Sequence, residues 1–429
     1  MSKLALFGGS PVRTRPFPAY NSIGDEEKRA ALEVLDTGRL SEFIGRRCEL
    51  FGGGRKVLEL EALVQERFKV RHAVSMNSAT SCIYAALGAI GIGAGDEVIV
   101  SPYSMCISAT APFLYQAIPV FADLEPDYFC LDPESVRRNI TPRTRAILTV
   151  DTFGQSSAME ELRAIADAHG LKIIVDCAHA MGVDYQGRSA GTLGDIGIYS
   201  LNAHKIIQCG EGGLAVTDDD DLALKMKLIR NHAEAAAEDF GVDLVNMLGQ
   251  NYRMPEIEAA IAIEQVRKMD GLIAQRVELA EHLSRRLAAI DGLTPPAIRP
   301  GATHAYYIYP IKYDQVRMGV PRERILEALR AEGIPMYRFA GGYVRPQYYE
   351  AIFRERTVFA KGLPFSLPQC ARIPDYSAAA CPVIDRLYRE EMIVFHLIYP
   401  PLTIADMDEI ADAFEKVFAH IDDLRCVPA

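Results

Sequence analysis

One lysine stands between an apolar segment and a glycine-rich turn in the stretch SLNAHKIIQCGEGG, from Ser200 to Gly213. The residues before it, DIGIYS at 195–200, are typical of a buried β-strand, so Lys205 follows a strand end closely. Most lysines are surface cations whose stems cover apolar surface. An amine at this position instead has the chemistry of a covalent anchor or a general base, provided that burial lowers its pKa.

A carboxylate and a histidine follow a second apolar segment, in LKIIVDCAHAMG. Asp176 closes the strand-like run, where an unpaired carboxylate is costly. It would pair with a protonated ring nitrogen and keep that ring charged, although an aspartate here also suits the N-cap of a helix that begins in CAHAMG. His179 lies three residues later and would contact a polar ring substituent or stack near the ring, or would be an ordinary structural histidine.

Small polar residues follow the strand-like segment HAVSM in VSMNSATSCIYAAL. Ser78, Ala79 and Thr80 stand where a helix begins, and backbone N–H groups at a helix N-terminus bind phosphate. Helix capping alone would favour the same residues. An amine, an anion, a polar partner and phosphate donors are together what pyridoxal phosphate requires. The sequence therefore indicates a pyridoxal phosphate site.

Short strand-like runs alternate with amphipathic segments from about Val57 onward. The runs lie at 72–76, 96–101, 118–123, 145–150, 171–176, 195–200 and 213–218. This alternation predicts an α/β fold with a largely parallel sheet covered on both faces, and such sheets bind ligands where their strands end. A long helix after NYRMPEIEAAIA and a second strand-bearing region from AYYIYPIKY predict two domains. We expect an N-terminal segment and large domain at 1–269 and a small C-terminal α+β domain at 270–429.

The composition argues against several other classes of protein. Acidic residues outnumber basic ones by 57 to 46, and the formal charge of −11 disfavours binding to nucleic acids or anionic membranes. Nine cysteines are scattered without a Cys-x-x-Cys pair, so we expect neither a metal site nor a disulfide framework. The first residues lack a signal-peptide pattern, and no apolar run approaches the roughly 20 residues of a membrane helix. We expect a cytoplasmic protein with small-molecule partners.

Four segments together resemble the DegT/StrS-type family of pyridoxal phosphate aminotransferases: VDCAHAMG, GTLGDIGIYSLNAHKIIQCGEGG, NSATS and LGQNYRMPEIEAAIA. The resemblance extends from about residue 20 to beyond residue 400. It implies fold-type I, the fold of aspartate aminotransferase, with a mostly parallel seven-stranded sheet between helices. It also implies transfer of an amino group from glutamate or glutamine to a keto-sugar, a keto-cyclitol or a related ketone.

Carried over by position, the resemblance implies that Lys205 forms the Schiff base, that Asp176 pairs with the pyridine nitrogen and that His179 lies near the phenolic oxygen. These three are the predicted catalytic residues. Ser200 matches the family's phosphate-binding serine, and Ala79 and Thr80 match its N-terminal phosphate loop. Asn251 matches an asparagine that reaches the phosphate of the neighbouring subunit, so a homodimer with shared active sites is implied.

One position departs from the family pattern. Similar proteins cover the cofactor ring with an aromatic residue in a P-x-x-T-(F/W) stretch, whereas this chain reads SPYSMCISAT and has Cys106 there. Cys106 is therefore the predicted ring contact. A shifted register would bring Met105 or Tyr103 over the ring instead, and Cys106 would then be an ordinary buried thiol.

Substrate contacts are predicted among polar and aromatic residues outside these motifs. A guanidinium fork suits a donor carboxylate, which makes Arg253 and the adjacent Tyr252 candidates, although an arginine on a helix face paired to an acid is equally compatible. His232 and His396 are further candidates, with a structural role as the alternative. Aromatic candidates in MYRFAGGYVRPQYY are Tyr337, Phe339 and Tyr343, which core or rim positions would also explain.

Other reactions of the same fold, and a non-catalytic role, are the alternatives to transamination. Dehydratases related to the sugar aminotransferases carry histidine in place of the lysine, but here the position six before Glu211 is Lys205. A lyase of this fold is a further alternative. Cysteine desulfurases need a mobile reactive cysteine, and no cysteine here stands in a clear loop motif for that role. A regulator that binds pyridoxal phosphate without turnover is the remaining alternative. Its absorption band would not respond to any amino donor.

Overall fold

The computed structural model describes residues 3–336, 344–370 and 373–425. Twelve β-strands lie in these parts of the chain, and the first nine of them fall between residues 72 and 217. They are β1 (His72–Met76), β2 (Glu97–Val100), β3 (Ile118–Phe121), β4 (Thr144–Val150), β5 (Lys172–Asp176), β6 (Asp184–Tyr185), β7 (Arg188–Ser189), β8 (Ile196–Ser200), β9 (Gly213–Thr217), β10 (Leu293–Thr294), β11 (Tyr309–Tyr313) and β12 (Met392–Phe395).

Fifteen α-helices lie in the same described residues. They are α1 (Asp25–Thr37), α2 (Arg55–Phe68), α3 (Ala79–Ala89), α4 (Ile107–Thr110), α5 (Pro133–Asn139), α6 (Met159–His169), α7 (Asp220–Arg230), α8 (Ala237–Phe240), α9 (Glu256–Leu287), α10 (Gln315–Met318), α11 (Arg322–Ala331), α12 (Ala351–Arg354), α13 (Pro382–Arg386), α14 (Ile404–Ala419) and α15 (Ile421–Arg425). No helix in the described parts of the chain is long and apolar enough to span a bilayer.

The main sheet has seven strands in the order β1-β9-β8-β5-β4-β2-β3. The pairs from β8 through β3 are parallel, and β9 runs antiparallel to both of its neighbours. All seven predicted strand-like runs are strands of this sheet, with ends within two residues of those expected. They are continuous apolar runs because each strand is buried on both faces. The predicted α/β fold with a mostly parallel sheet is confirmed.

The carboxyl ends of β1, β4, β5 and β8 lie along one edge of this sheet, because these four strands run in the same direction. Residues 201–212 connect β8 directly to its antiparallel neighbour β9, and the pairing resumes at Ser200 opposite Gly213. This connection carries Lys205. The sheet therefore presents the lysine at the same edge as the residues that follow β1 and β5.

Two large apolar cores flank helix α9, which is 32 residues long. The first core surrounds the seven-stranded sheet, and it also takes in apolar residues between 348 and 394. The second core packs the three-stranded sheet β10-β11-β12 against α11, α14 and the last turns of α9, and it includes Leu4. The predicted boundary at residues 269 and 270 falls inside α9, and the division into 1–269 and 270–429 stays a prediction.

Candidate active site

A cavity of about 710 Å³ opens at the carboxyl ends of β1, β4, β5 and β8. Eight of the sequence-predicted site residues line it. Four follow or end β5 and β8, namely Asp176, His179, Ser200 and Lys205. Three stand at the start of α3, namely Ser78, Ala79 and Thr80, and His396 follows β12. The fold thus gathers in one cavity side chains that are up to about three hundred positions apart in the sequence.

Lys205 lies in a turn at the beginning of the β8–β9 connection. Its backbone N–H donates to the carbonyl of Asn202 at 2.9 Å, and its Nζ lies 4.6 Å from the centre of the Tyr307 ring. Burial lowers the pKa of Lys205 to about 8, and the nearby charge of Asp176 opposes part of that change. The amine is therefore unprotonated in an appreciable fraction of molecules near neutral pH, as a nucleophile or general base requires.

Asp176 ends β5 with its side chain almost fully buried in the cavity wall. It accepts hydrogen bonds from Ser108 Oγ and from the backbone N–H of Ala178, both at 3.0 Å. The residues after it form a turn rather than a helix, so the N-cap alternative does not hold at this position. Burial raises the pKa of Asp176, while the Ala178 N–H, the charge of Lys205 and the Ser108 hydroxyl act in the opposite direction. The carboxylate is thus held in place by two donors inside a low-dielectric wall.

His179 stacks on Tyr307, with ring centres 4.4 Å apart and planes 22° from parallel. Burial, followed by the nearby charges of Lys205 and His396, lowers the pKa of His179 well below its ordinary value. His179 is therefore a neutral imidazole near neutral pH. This part of the cavity wall is a pair of flat uncharged rings.

The start of α3 forms a cradle for an anion beside these groups. Ser78 is the N-cap of this helix, and its Oγ accepts a hydrogen bond from the backbone N–H of Ser81 at 3.1 Å. Ser78 therefore caps the helix, as the alternative interpretation of the sequence expected. The first N–H groups of a helix have no intrahelical acceptor, and those of Ala79 and Thr80 stand at the cavity wall. A Cβ atom on Gly213 would lie 2.4 Å from the Ala79 nitrogen. This glycine of the GEGG motif therefore lets β9 pack directly against the cradle.

The segment SPYSMCISAT departs from the family pattern at Cys106, and it reaches the cavity through the preceding residue, Met105. Met105 lines the cavity, whereas Cys106 is exposed, is the N-cap residue before the short helix α4 and is not among the lining residues. Tyr103 is fully buried and packs edge-on to Phe153, with ring centres 6.1 Å apart. Of the three candidates for covering a bound ring, the geometry therefore favours Met105 over the ungapped choice of Cys106.

Four predicted contacts lie away from this cavity. Asn251 is exposed and forms an isolated bridge with Asn231, whose side chain accepts a hydrogen bond from Arg253 Nε at 2.8 Å. Tyr252, between them, is half-buried, and His232 is exposed with a left-handed backbone conformation at φ 56°. None of these four side chains lines the cavity of its own chain.

The remaining substrate candidates divide between the cavity and undescribed parts of the chain. His396 lines the cavity and meets Tyr307 edge-on, with ring centres 5.4 Å apart. Burial lowers the pKa of His396 to about 4, so it too is neutral near pH 7. Tyr337, Phe339 and Tyr343 lie outside the described residues.

Several residues that line the cavity were not found from the sequence, among them Tyr20, Arg276, Tyr307 and Tyr399. Ser108, which donates a hydrogen bond to Asp176 from behind the wall, was not found either. Arg276 had a detectable signal, because it shares the buried stripe of α9 with Leu279, Ala280 and Leu283, at helical spacing. A cation on an apolar stripe needs a partner that the helix itself does not supply.

This fold and this constellation define a fold-type I aminotransferase. A solved structure of an aminotransferase from Psychrobacter cryohalolentis superposes with a TM-score of 0.80 at 28% identity, covering 95% of this chain and 100% of that one. An L-glutamine:2-deoxy-scyllo-inosose aminotransferase of Streptoalloteichus tenebrarius is 34% identical, over 98% of this chain and 99% of the relative. The spore coat polysaccharide biosynthesis protein SpsC of Bacillus subtilis is 30% identical, over 93% and 96%.

The sequence profile of the DegT/DnrJ/EryC1/StrS aminotransferase family matches residues 23–413, and the chain belongs to this family. It is an aminotransferase. The predictions of family, fold-type I architecture and enzyme class are confirmed. The roles assigned to individual residues stay predictions.

Proposed function

We propose that this enzyme acts in the cytoplasm and transfers the amino group of L-glutamine to a keto-cyclitol, with pyridoxal phosphate held by Lys205. Support for the donor and acceptor comes from the relatives' names, which include an L-glutamine:scyllo-inosose aminotransferase of Streptomyces griseus, 36% identical over 77% of this chain and 79% of the relative. The observation that carries the proposal is that the amine of Lys205, the carboxylate of Asp176 and the start of α3 open into one cavity. Scattered cysteines suit a reducing compartment.

The groups in the cavity fit pyridoxal phosphate. The cofactor carries an aldehyde, a ring nitrogen, a phenolic oxygen and a phosphate. The cavity offers a partly unprotonated amine, a buried carboxylate, a neutral imidazole beside an aromatic ring, and a helix N-terminus with nearby hydroxyls. Ser78, Thr80 and Ser200 would bind the phosphate, and Met105 would cover the ring. The cavity volume also lies within the usual range of about 300–1,000 Å³ for cofactor and ligand sites.

When bound, pyridoxal phosphate supplies an aldehyde that links to amines and a pyridinium ring that accepts electron density from the attached carbon. Asp176 would keep the ring nitrogen protonated, because a buried carboxylate held by Ser108 and Ala178 favours a cation beside it. Lys205 would anchor the aldehyde carbon covalently. Once displaced by the donor amine, its Nζ would take the proton from the donor Cα and deliver it to C4′, the carbon that carried the aldehyde. It would act in reverse on the acceptor.

The mouth of the cavity suits a neutral, polyhydroxylated acceptor. Asn202 Nδ2 donates to Glu211 Oε1 at 2.9 Å, and both residues line the cavity together with His204. An amide, a carboxylate and an imidazole are good partners for hydroxyl groups. Among the described lining residues, the lysine and arginine side chains are those of Lys205 and Arg276. The diphosphate of a nucleotide sugar would meet the exposed carboxylate of Glu211 at the mouth, which supports a cyclitol over a nucleotide sugar.

A homodimer with shared active sites is part of the proposal. Asn251, Tyr252, Arg253 and His232 lie away from the cavity of their own chain, as expected of residues that serve a neighbouring subunit. The segment just before them exposes large apolar side chains, which is typical of an interaction surface. Sedimentation equilibrium should give twice the chain mass of 47.3 kDa. A monomer at catalytic concentrations would contradict this part of the proposal.

The experiment that tests the reaction follows the nitrogen itself. The enzyme loaded with pyridoxal phosphate is incubated with L-glutamine labelled with ¹⁵N at its α-amino group and with 2-deoxy-scyllo-inosose. Mass spectrometry should find the label in an aminocyclitol, and Lys205→Ala should abolish the transfer. Label that reaches a nucleotide-linked keto-sugar but not the cyclitol would refute the proposed acceptor. Failure with every ketone would refute the proposed reaction.

A further inference from the structure

A buried cation that the mechanism above does not use lies in the cavity wall. Arg276 is only 3% exposed, and its Nη1 donates to the backbone carbonyls of Ile398 at 2.6 Å and Tyr306 at 3.3 Å. Its Nε is enclosed and has no hydrogen-bond partner among the described residues. The guanidinium also lies 4.9 Å from the centre of the Tyr20 ring. Among the described residues Arg276 forms no ion pair with a carboxylate, and the side chains that act most on its charge are Tyr20, which also hydrogen-bonds to it, Tyr307 and Tyr399.

A guanidinium in this position carries an unbalanced charge. Arginine keeps its proton even when buried, and a buried charge is costly unless it is paired and fully hydrogen-bonded. Carbonyl groups and tyrosine rings supply partial compensation. An anion that enters the cavity would complete the compensation of the guanidinium charge. The resulting ion pair would form at the low dielectric where charge-assisted hydrogen bonds are strongest.

Arg276 and Lys205 act on the same two side chains of the cavity. The Lys205 amine lies over the Tyr307 ring, and Arg276 is the charge that influences Tyr307. His396, which meets Tyr307 edge-on, is influenced by the charges of Arg276 and then Lys205. The two cations therefore approach one small group of rings. Both cations line the same cavity, so a molecule that carries an amine and an anion would contact both.

We infer that Arg276 binds the α-carboxylate of the amino donor and thereby places the donor amine beside Lys205. The inference rests on the proposed function only in taking the donor to be an α-amino acid. A carboxylate matches the planar donors of a guanidinium and neutralises its charge, which a cyclitol hydroxyl does not. Tyr20, Tyr307 and Tyr399 surround the pair and would exclude water from it. Arg253, the carboxylate contact expected from the sequence, does not line the cavity of its own chain, and in the proposed dimer it would serve the cavity of the neighbouring subunit.

The test compares two unreactive analogues of glutamine on the enzyme loaded with pyridoxal phosphate. Glutaramate lacks the α-amino group but keeps the carboxylate, and glutaramide has a second amide in place of that carboxylate. Isothermal titration calorimetry should show that the wild-type protein prefers glutaramate by about 10- to 100-fold, as a charge-assisted hydrogen bond in a buried site would give. Arg276→Gln should reduce this preference to within about threefold, and Arg276→Lys should retain part of it.

Arg322 provides a matched control for a purely structural effect. It is also buried, its Nη1 donates to the carbonyls of Tyr388 and Met392, and its Nε likewise lacks a partner among the described residues. It does not line the cavity, so Arg322→Gln should lower stability and leave the preference for glutaramate intact. Circular dichroism establishes whether each variant is folded. If Arg276→Gln does not fold, Arg276→Lys takes its place in the comparison.

Several results would overturn the inference. They are a wild-type protein that binds both analogues equally, a folded Arg276→Gln protein that keeps the full preference, and loss of the preference in Arg253→Gln instead. The ¹⁵N assay separates this inference from the proposed function. Normal transfer by the wild type together with a full preference in Arg276→Gln refutes only the role of Arg276. If Arg276→Gln loses the preference for glutaramate while the wild type transfers no nitrogen from glutamine, the role of Arg276 is supported and the proposed reaction is refuted.

Discussion

Replacing Lys205 by methionine is expected to stabilise the cofactor-free protein at neutral pH. The pKa of Lys205 is about 8 in the folded protein, against an ordinary value of 10.5, because burial disfavours the ammonium form. The unfolded chain therefore takes up this proton at a higher pH than the folded chain does. Lys205 costs no stability well above pH 10.5. The cost grows as the pH falls, and it is complete below about pH 8.

The magnitude follows from the two pKa values. The difference between 10.5 and about 8 corresponds to a cost of ~3 kcal/mol at pH 7, at about 1.4 kcal/mol for each pH unit. Methionine keeps a similar length and carries no charge. The advantage of Lys205→Met should therefore be ~3 kcal/mol at pH 7, ~2 kcal/mol at pH 9 and below ~1 kcal/mol at pH 10.

Urea denaturation followed by far-ultraviolet circular dichroism measures this difference, at one protein concentration and with pyridoxal phosphate removed from both proteins. Lys3→Met is the matched control, because it removes an exposed ammonium group and reports any general effect of lysine replacement. A stability difference that does not change between pH 7 and pH 10 would refute the reasoning. So would a wild-type protein that is the more stable of the two at pH 7, since both results require an ammonium group that burial does not penalise.

Two further substitutions probe the groups around the lysine. Asp176→Asn should lower the rate of amino transfer by at least about 100-fold, because the ring nitrogen loses its counter-charge. It should also lower the pKa of Lys205 further, since the charge of Asp176 raises that pKa. The ¹⁵N assay measures the first effect and the pH dependence of Lys205 acetylation the second, and an unchanged rate would count against the pairing of Asp176 with the ring nitrogen. Gly213→Ala should destabilise the protein by about 1–3 kcal/mol and weaken cofactor binding, because its Cβ would lie 2.4 Å from the Ala79 nitrogen. Urea denaturation measures the stability and equilibrium dialysis the cofactor binding. Gly210→Ala is the control, because Gly210 has φ 90° and lies away from the cradle, so this variant reports backbone strain alone.

Much of the fold was predictable because its strands are buried on both faces. Such strands appear in the sequence as continuous apolar runs, and Asp176 and Lys205 stand out as charged residues directly after two of them. The direction of β9 was not visible in its own residues, since parallel and antiparallel strands share the same composition. That direction follows from residues 201–212, which lead from β8 into its neighbour without an intervening helix.

The cavity wall was less predictable, because it depends on contacts between distant segments. Asp176 could have begun a helix or a turn with the same following residues, and only the packed chain decides for the turn. The choice between Met105 and Cys106 depends on a backbone register of one residue, which an ungapped comparison does not resolve. Tyr307 lies close to Lys205 although the two are about a hundred positions apart, and no local pattern links them.

A single labelling measurement tests whether Lys205 is the cofactor's anchor in a working aminotransferase. The enzyme loaded with pyridoxal phosphate is reduced with borohydride, digested and mapped by mass spectrometry, with and without prior incubation with L-glutamine. The structure predicts that the cofactor is found on the peptide that contains Lys205, and that glutamine prevents this attachment by displacing the lysine. Attachment to a different lysine, or attachment to Lys205 that no amino donor prevents, would contradict the proposed site and its reaction.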